Sequence, residues 1–213
     1  MRRLLTLLVL LAALAPLPAA AQEARGRVIF EDDMVSRRNW KEGVSFPCRK
    51  AYGDGGLIIE HTHKGVTCEV DLLLPGALPE NVRIEVTVKL RKGSKRSDYG
   101  LKFGTVLGQS STYYTFGLDA EGRYQLAAWD GKSWVFLLKR TKDSAVRSGY
   151  GAANQIAVEV AGRTIRCFVN GKNVGEAAAP IPAAGYMGFT LDEGGMEAVF
   201  SKLRITELPA AVP

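Results

Sequence analysis

The feature that most constrains this chain is a series of short runs, from Arg27 to Thr206, in which apolar and polar residues alternate and each run is closed by Gly, Asp or Asn. Alternation with a period of two sends successive side chains to opposite faces of a strand, so one face of each run can be buried while the other meets water. The runs predict strands at Arg27 to Phe30, Gly56 to His61, Thr67 to Leu72, Val82 to Arg91, Tyr99 to Thr105, Thr112 to Asp119 and Arg123 to Trp129. They continue at Trp134 to Lys139, Asn154 to Val160, Thr164 to Asn170, Lys172 to Glu176, Gly185 to Thr190 and Glu197 to Thr206. Tight turns are expected at Asp119-Ala120-Glu121-Gly122, Asp130-Gly131 and Asn170-Gly171, where residues tolerant of positive φ join neighbouring strands. Wider loops fall at Lys92 to Asp98, Leu107 to Ser111, Thr141 to Ala153 and Glu176 to Ala184. The class is all-β.

The first residues have a different character. Arg2 and Arg3, the apolar Leu4 to Leu14 and the small Ala19-Ala20-Ala21 have the order of a signal peptide, with cleavage expected after Ala21. The apolar stretch is shorter than the roughly 20 residues that cross a bilayer, and Pro16 and Pro18 break its continuation. A protein free in the periplasm or secreted is therefore expected, with one sandwich domain over residues 22–207 and a flexible tail at 208–213. Removing the two leader arginines takes the net charge from +6 to +4, too modest to imply nucleic acid. A monomer is expected.

Three cysteines allow one bridge and leave one thiol. Sequence alone leaves the pairing open. Cys48 and Cys68, which flank the turn-rich Tyr52 to Gly56, are the expected pair, and Cys167 in an apolar run is expected to be a small buried hydrophobe.

Several patches bear on function. Tyr99, Tyr113, Tyr124, Trp129, Trp134 and Tyr186 form an aromatic set at strand ends, interspersed with Lys102, Arg123, Gln125, Asp130 and Asn154. Rings of this kind cover the apolar face of a pyranose while fixed donors and acceptors read its hydroxyls. Alternation assigns Tyr114, Phe116 and Leu118 to one face and Tyr113, Thr115 and Gly117 to the other. The expected ligand-binding residues are Tyr113, Trp129 and Trp134 as stacking surfaces, with Arg123 and Asp130 as hydrogen-bonding partners. Glu60-His61-Thr62-His63 places two imidazoles on one strand face, but a third metal ligand at fixed spacing is not visible. Asp192-Glu193-Gly194-Gly195 and Asp54-Gly55-Gly56 could offer oxygens to calcium, yet acidic glycine turns are more often only turns, and no cofactor is expected. Lys89, Arg91, Lys92, Lys95 and Arg96 crowd one hairpin, where charge guards a sheet edge against pairing or meets an acidic partner.

Asp98-Tyr99-Gly100-Leu101-Lys102-Phe103-Gly104, Tyr113-Tyr114-Thr115-Phe116, Gly122-Arg123-Tyr124, Trp129-Asp130-Gly131, Val169-Asn170-Gly171 and Gly185-Tyr186-Met187-Gly188-Phe189 follow in an order that resembles the concanavalin A-like lectin and glucanase superfamily. More narrowly, the chain resembles the laminin G-like jelly rolls of bacterial exported proteins, including relatives of the 3-keto-disaccharide hydrolase domain. The resemblance implies a two-sheet antiparallel jelly-roll β-sandwich and a sugar-related role. Glucanases of this superfamily carry Glu-x-Asp-x-Glu or Glu-x-Asp-x-x-Glu on one strand. Here Glu69-Val70-Asp71 is followed by Leu72-Leu73-Leu74, so the second catalytic carboxylate is missing and no catalytic residue is assigned. The expected partner is a glycan or other extracellular polymer bound without turnover. The alternatives are a hydrolase with another carboxylate pair and an envelope scaffold that holds a protein.

Overall fold

The computed structural model describes residues 26–72, 74, 76–105, 112–180 and 185–210. The expected signal peptide, the loop at Leu107 to Ser111 and the last three residues of the expected tail lie outside the described residues. Fifteen strands follow in chain order: β1 (Arg27–Asp32), β2 (Gly43–Ser45), β3 (Cys48–Gly53), β4 (Gly56–His61), β5 (Cys68–Leu72), β6 (Asn81–Lys92), β7 (Tyr99–Thr105) and β8 (Tyr113–Leu118). The rest are β9 (Arg123–Trp129), β10 (Trp134–Lys142), β11 (Asn154–Ala161), β12 (Thr164–Val169), β13 (Lys172–Ala178), β14 (Tyr186–Leu191) and β15 (Glu197–Glu207). All pairings are antiparallel. One sheet runs β13-β12-β11-β6-β15-β4-β3-β2, with β1 also on β15, and the other runs β10-β9-β8-β7-β14-β5.

The expected strands all form. The addition is β2 and β3. Cys48-Arg49-Lys50-Ala51-Tyr52-Gly53 shows no hydrophobic alternation and takes its extended form from pairing with β4, from Cys48 opposite His61 to Gly53 opposite Gly56. Asp54 and Gly55 close that hairpin at φ of 52° and 76°, and Asn170-Gly171 closes β12 to β13 at 49° and 83°, the left-handed conformations of a type I′ turn. The terminal strand β15 changes register against β6 between Ser201 and Arg204, where Lys202 has φ 55°, so the slip in its alternation is a bulge.

The inward faces of the two sheets meet over Tyr99, Phe103, Tyr114, Phe116, Phe189 and Phe200, all fully buried. Phe189 of β14 stacks on Phe200 of β15 with ring centroids 4.2 Å apart, which locks one sheet to the other. Burying a ring of this size stabilises by about 1.5–3 kcal/mol. Cys48 and Cys68 form a disulfide with their Cα atoms 5.3 Å apart, and because β3 and β5 belong to different sheets it is a covalent tie between the layers. Cys167 is the free, buried cysteine, and burial pushes its thiol well above the ordinary range.

The basic hairpin is less bare than its sequence. Lys89 pairs with Asp54 at 2.7 Å, Arg91 with Glu197 at 3.2 Å, Lys92 with Glu60 at 3.0 Å and Arg96 with Glu121 at 2.9 Å. Acidic residues distant in sequence thus neutralise most of the run.

Gly188 shows how closely the six-stranded sheet is drawn together: a Cβ there would lie 2.3 Å from the Val70 carbonyl oxygen on β5. We expect Gly188→Ala to lower stability by about 1–3 kcal/mol, as overpacking does. Urea unfolding monitored by Trp fluorescence checks this, and an unchanged midpoint would show that β5 yields freely.

Candidate functional site

The outward face of the six-stranded sheet holds the chemistry. In β8, Tyr114, Phe116 and Leu118 are fully buried in the core, which leaves Tyr113, Thr115 and Gly117 on the outer side as the alternation requires. In β9 the same rule turns Tyr124, Leu126 and Ala128 inward and Arg123, Gln125, Ala127 and Trp129 outward. Register then sets Tyr113 opposite Trp129 and Trp129 opposite Trp134. Ring centroids are 5.5 Å apart between Trp129 and Trp134 and 5.7 Å between Tyr113 and Trp134. Three of the five expected ligand-binding residues are therefore neighbours.

They are not equivalent. Tyr113 is 7% exposed, donates its hydroxyl to Glu69 at 2.6 Å and has the Lys102 ammonium 4.7 Å from its ring centre. Burial, then the bond to Glu69, raises its phenol far above the ordinary value. Tyr113 is a supporting ring, whereas Trp134 is 40% exposed and its neighbour Phe136 is 54% exposed. Lys102 itself is buried, with Nζ 2.5 Å from Glu69 and 3.1 Å from Asp71. Glu69-Val70-Asp71, which had drawn comparison with a catalytic pattern, thus supplies the counter-charges of a buried lysine.

Arg123 stands at the opposite end of β9 from Trp129 and is held by Asp119 at 2.6 Å and Glu121 at 3.0 Å. Asp130 lies in the turn between β9 and β10, where one carboxylate oxygen accepts from the Lys132 and Ser133 amides at 2.8 Å each, and those bonds hold its carboxyl below the usual range. The structure does not bring either residue into the aromatic trio. Asn154 lies in the other sheet, fully buried, bonded to the Arg147 backbone and to Asn170. Tyr99 and Tyr124 point into the core.

A groove of about 470 Å³ runs over this face. Thr115, Gln125 and Ala127 line its middle, Trp134 and Phe136 stand on the outermost strand, and Asp98, Asp192, Arg140 and Thr67 complete it. Asp98 and Asp192 are cross-strand neighbours, since Leu191 pairs with Tyr99 and the Asp192 amide donates to the Asp98 carbonyl at 3.1 Å. A Cβ on Gly117 would come within 2.8 Å of the Asp98 Cβ, so the glycine leaves room for that side chain to lie across β8. Arg140 donates to Asp98 at 2.8 Å and to buried Asp119 at 3.4 Å. Burial, with the charge of Asp192 second, pushes the Asp98 carboxyl up to about 7 against the pull of Arg140. Desolvation by the surrounding protein pushes Asp192 up to about 6 against the pull of Arg140, although the residue as a whole is exposed.

A larger groove, about 780 Å³, crosses the other sheet near Glu31, Asp32 and Lys202. Its polar groups are largely committed: Glu31 pairs with Arg204, and Asp32 accepts from the Met34 amide, Asn39 and Trp40. The two imidazoles do not share a strand face. His61 ends β4 fully buried, with burial lowering its pKa, and His63 lies beyond the strand with its ring centroid 4.5 Å from that of Phe46. Among the described residues no three His, Cys, Asp or Glu side chains gather as a metal site.

No protein-family model matches the chain, and no curated protein matches it. Solved structures do. A Bacillus subtilis protein of unknown function with a galectin-like fold aligns at TM-score 0.67 and 13% identity over 85% of this chain and 96% of its own. The fold is a galectin-like jelly roll. A second jelly roll, the carbohydrate-binding module CBM66 from Bacillus subtilis, aligns at TM-score 0.61 and 13% identity, covering 75% of this chain and 92% of that one. An endo-acting O-glycanase structure from the human gut microbiota aligns at 0.62 and 11% identity, over 85% and 100%. At such identities the likeness is one of architecture, and this jelly roll's ligand has to be argued from its own groove.

Proposed function

We propose that this jelly roll is an exported, non-catalytic glycan-binding module, and that the groove of the six-stranded sheet holds the sugar. The observation that carries the reading is the exposure of Trp134 and Phe136 beside the small residues Thr115 and Ala127 and the polar Gln125, Arg140 and Asp98. An apolar wall facing a few fixed polar groups is what a pyranose needs, with one face of carbon-bound hydrogens and a rim of hydroxyls. The architecture shared with a carbohydrate-binding module and an O-glycanase supports it. The Cys48–Cys68 bridge suits an oxidising compartment such as the periplasm or the exterior, and among the described residues no helix is long and apolar enough to cross a membrane. The same reading keeps the chain among the laminin G-like relatives of the 3-keto-disaccharide hydrolase domain and treats it as a monomer.

The test is titration calorimetry against a panel of oligosaccharides. Trp134→Ala combined with Phe136→Ala should weaken the bound sugar about 10- to 100-fold, as loss of a buried ring does. Their exposure means that folding is preserved, which thermal unfolding checks. Undiminished binding by the double variant removes the groove from consideration.

A second reading has one specific observation in its favour. Asp98 and Asp192 flank the paired ends of β7 and β14 in the groove, and a carboxyl raised to about 7 is matched to general-acid work near neutral pH. Release of reducing ends from any panel member, abolished by Asp98→Asn, would establish a hydrolase in place of a binding module.

A further inference from the structure

If the groove is the glycan site, its charge names the class of glycan. The whole chain carries a formal net charge of +6, yet this end of the groove is short of cations. Asp98 and Asp119 share Arg140. Asp119 also takes Arg123, which Glu121 shares while holding Arg96 as well. Among the described residues Asp192 makes no ion pair of its own and feels only the more distant pull of the same Arg140, although it lines the groove and opens to solvent. On the same face a single buried ammonium, Lys102, serves both Glu69 and Asp71. The surplus is therefore carboxylate, and at Asp192 it lies where a ligand can reach it.

We propose that the groove selects a glycan bearing free amino groups, with a sugar ammonium seated between Asp192 and Asp98 and the apolar face of the ring against Trp134 and Phe136. An ammonium supplies three donors and a positive charge to two carboxylates that otherwise repel one another across adjacent strands. A hydroxyl in that place donates one hydrogen bond and leaves the repulsion in force. An N-acetyl group is larger and uncharged, and a uronate adds a third negative charge. A bare metal ion is a poor alternative, since hard cations such as calcium take six to eight oxygens and no cluster of three acidic or metal-ligating side chains is present among the described residues. Long-range attraction cannot imitate the selection, because the positive chain repels a cationic oligosaccharide at a distance. Any preference for the amine has to be local.

Calorimetry near neutral pH compares three probes of equal length: a glucosamine oligosaccharide, the same oligosaccharide fully N-acetylated, and a glucuronic acid oligosaccharide. The free-amine probe should bind about 10-fold tighter than the acetylated one, with the uronate weakest. Asp192→Asn should bring the ratio of the first two affinities towards one, Asp192→Glu should keep it, and Trp134→Ala should weaken both without changing it. Equal affinity for amine and acetylated probes, or a ratio that Asp192→Asn does not move, overturns this inference and leaves the glycan-binding reading standing. No binding by these probes or by any neutral oligosaccharide overturns both.

Discussion

Replacing Arg140 by alanine should destabilise the protein by about 1–3 kcal/mol at neutral pH, the range found when a buried polar group is left without its partner. The reason lies in what is left behind. Asp119 is fully buried and Asp98 nearly so, and although Arg123 stays with Asp119, Asp98 loses its hydrogen-bonded cation. The effect has a signed pH dependence. Asp98 in the folded protein titrates at about 7, above its ordinary value of 3.8, so the folded state holds a proton that the unfolded state has released. Its contribution is fully present below the unfolded value and is lost as pH rises through the folded one. Without Arg140 the carboxyl rises further, so the deficit of the variant should be smallest near pH 4, where Asp98 is neutral in the fold, and should grow towards about pH 8. Urea unfolding of both proteins across that range measures it. A deficit that is constant with pH would show that Arg140 acts through packing of its stem and not through Asp98.

The second large effect concerns the tie between the layers. Cys48→Ser together with Cys68→Ser should cost about 3 kcal/mol, the chain-entropy value for a loop of this length. That corresponds to a fall of roughly 6–12 °C in Tm for a domain of this size. Reduced wild-type protein should match the double variant in calorimetric scans, since in both β3 of one sheet is free of the β5 edge of the other. A loss below about 1 kcal/mol would mean that the packing around Phe189 and Phe200 holds the sheets in register without help.

The strands were legible because burying one face of a sheet imposes a period of two, and every run that shows it is a strand. A strand without the pattern has its own reason. In β3 the extended form comes from the partner strand, and a sequence of Arg49, Lys50 and Ala51 has nothing to show for it. The aromatic trio could be found because it sits on β8, β9 and β10, strands consecutive in sequence and joined by short connections. Asp98 and Asp192 could not, because β7 and β14 are neighbours only by virtue of sheet order. Asp192-Glu193-Gly194-Gly195 has the composition of an acidic glycine turn, and Arg140 lies one residue beyond the expected end of its strand. A faint signal existed: Asp98, Gly100 and Lys102 alternate outward, as do Gly188, Thr190 and Asp192. Arg123 and Asp130 belong to neighbouring strands and their connection, yet the far end of a strand and the tip of a turn are different places on a face.

Cys167 has a practical consequence. Its thiol is fully buried in β12, and burial keeps it protonated, so the folded protein offers no thiolate to a neighbouring molecule or to its own bridge. Mispairing among the three cysteines is thereby confined to chains that have not yet packed β12. For anyone preparing the protein, the thiol matters during refolding and not during storage: yield should depend on how soon Cys48 meets Cys68, while folded material should neither cross-link nor scramble as it ages.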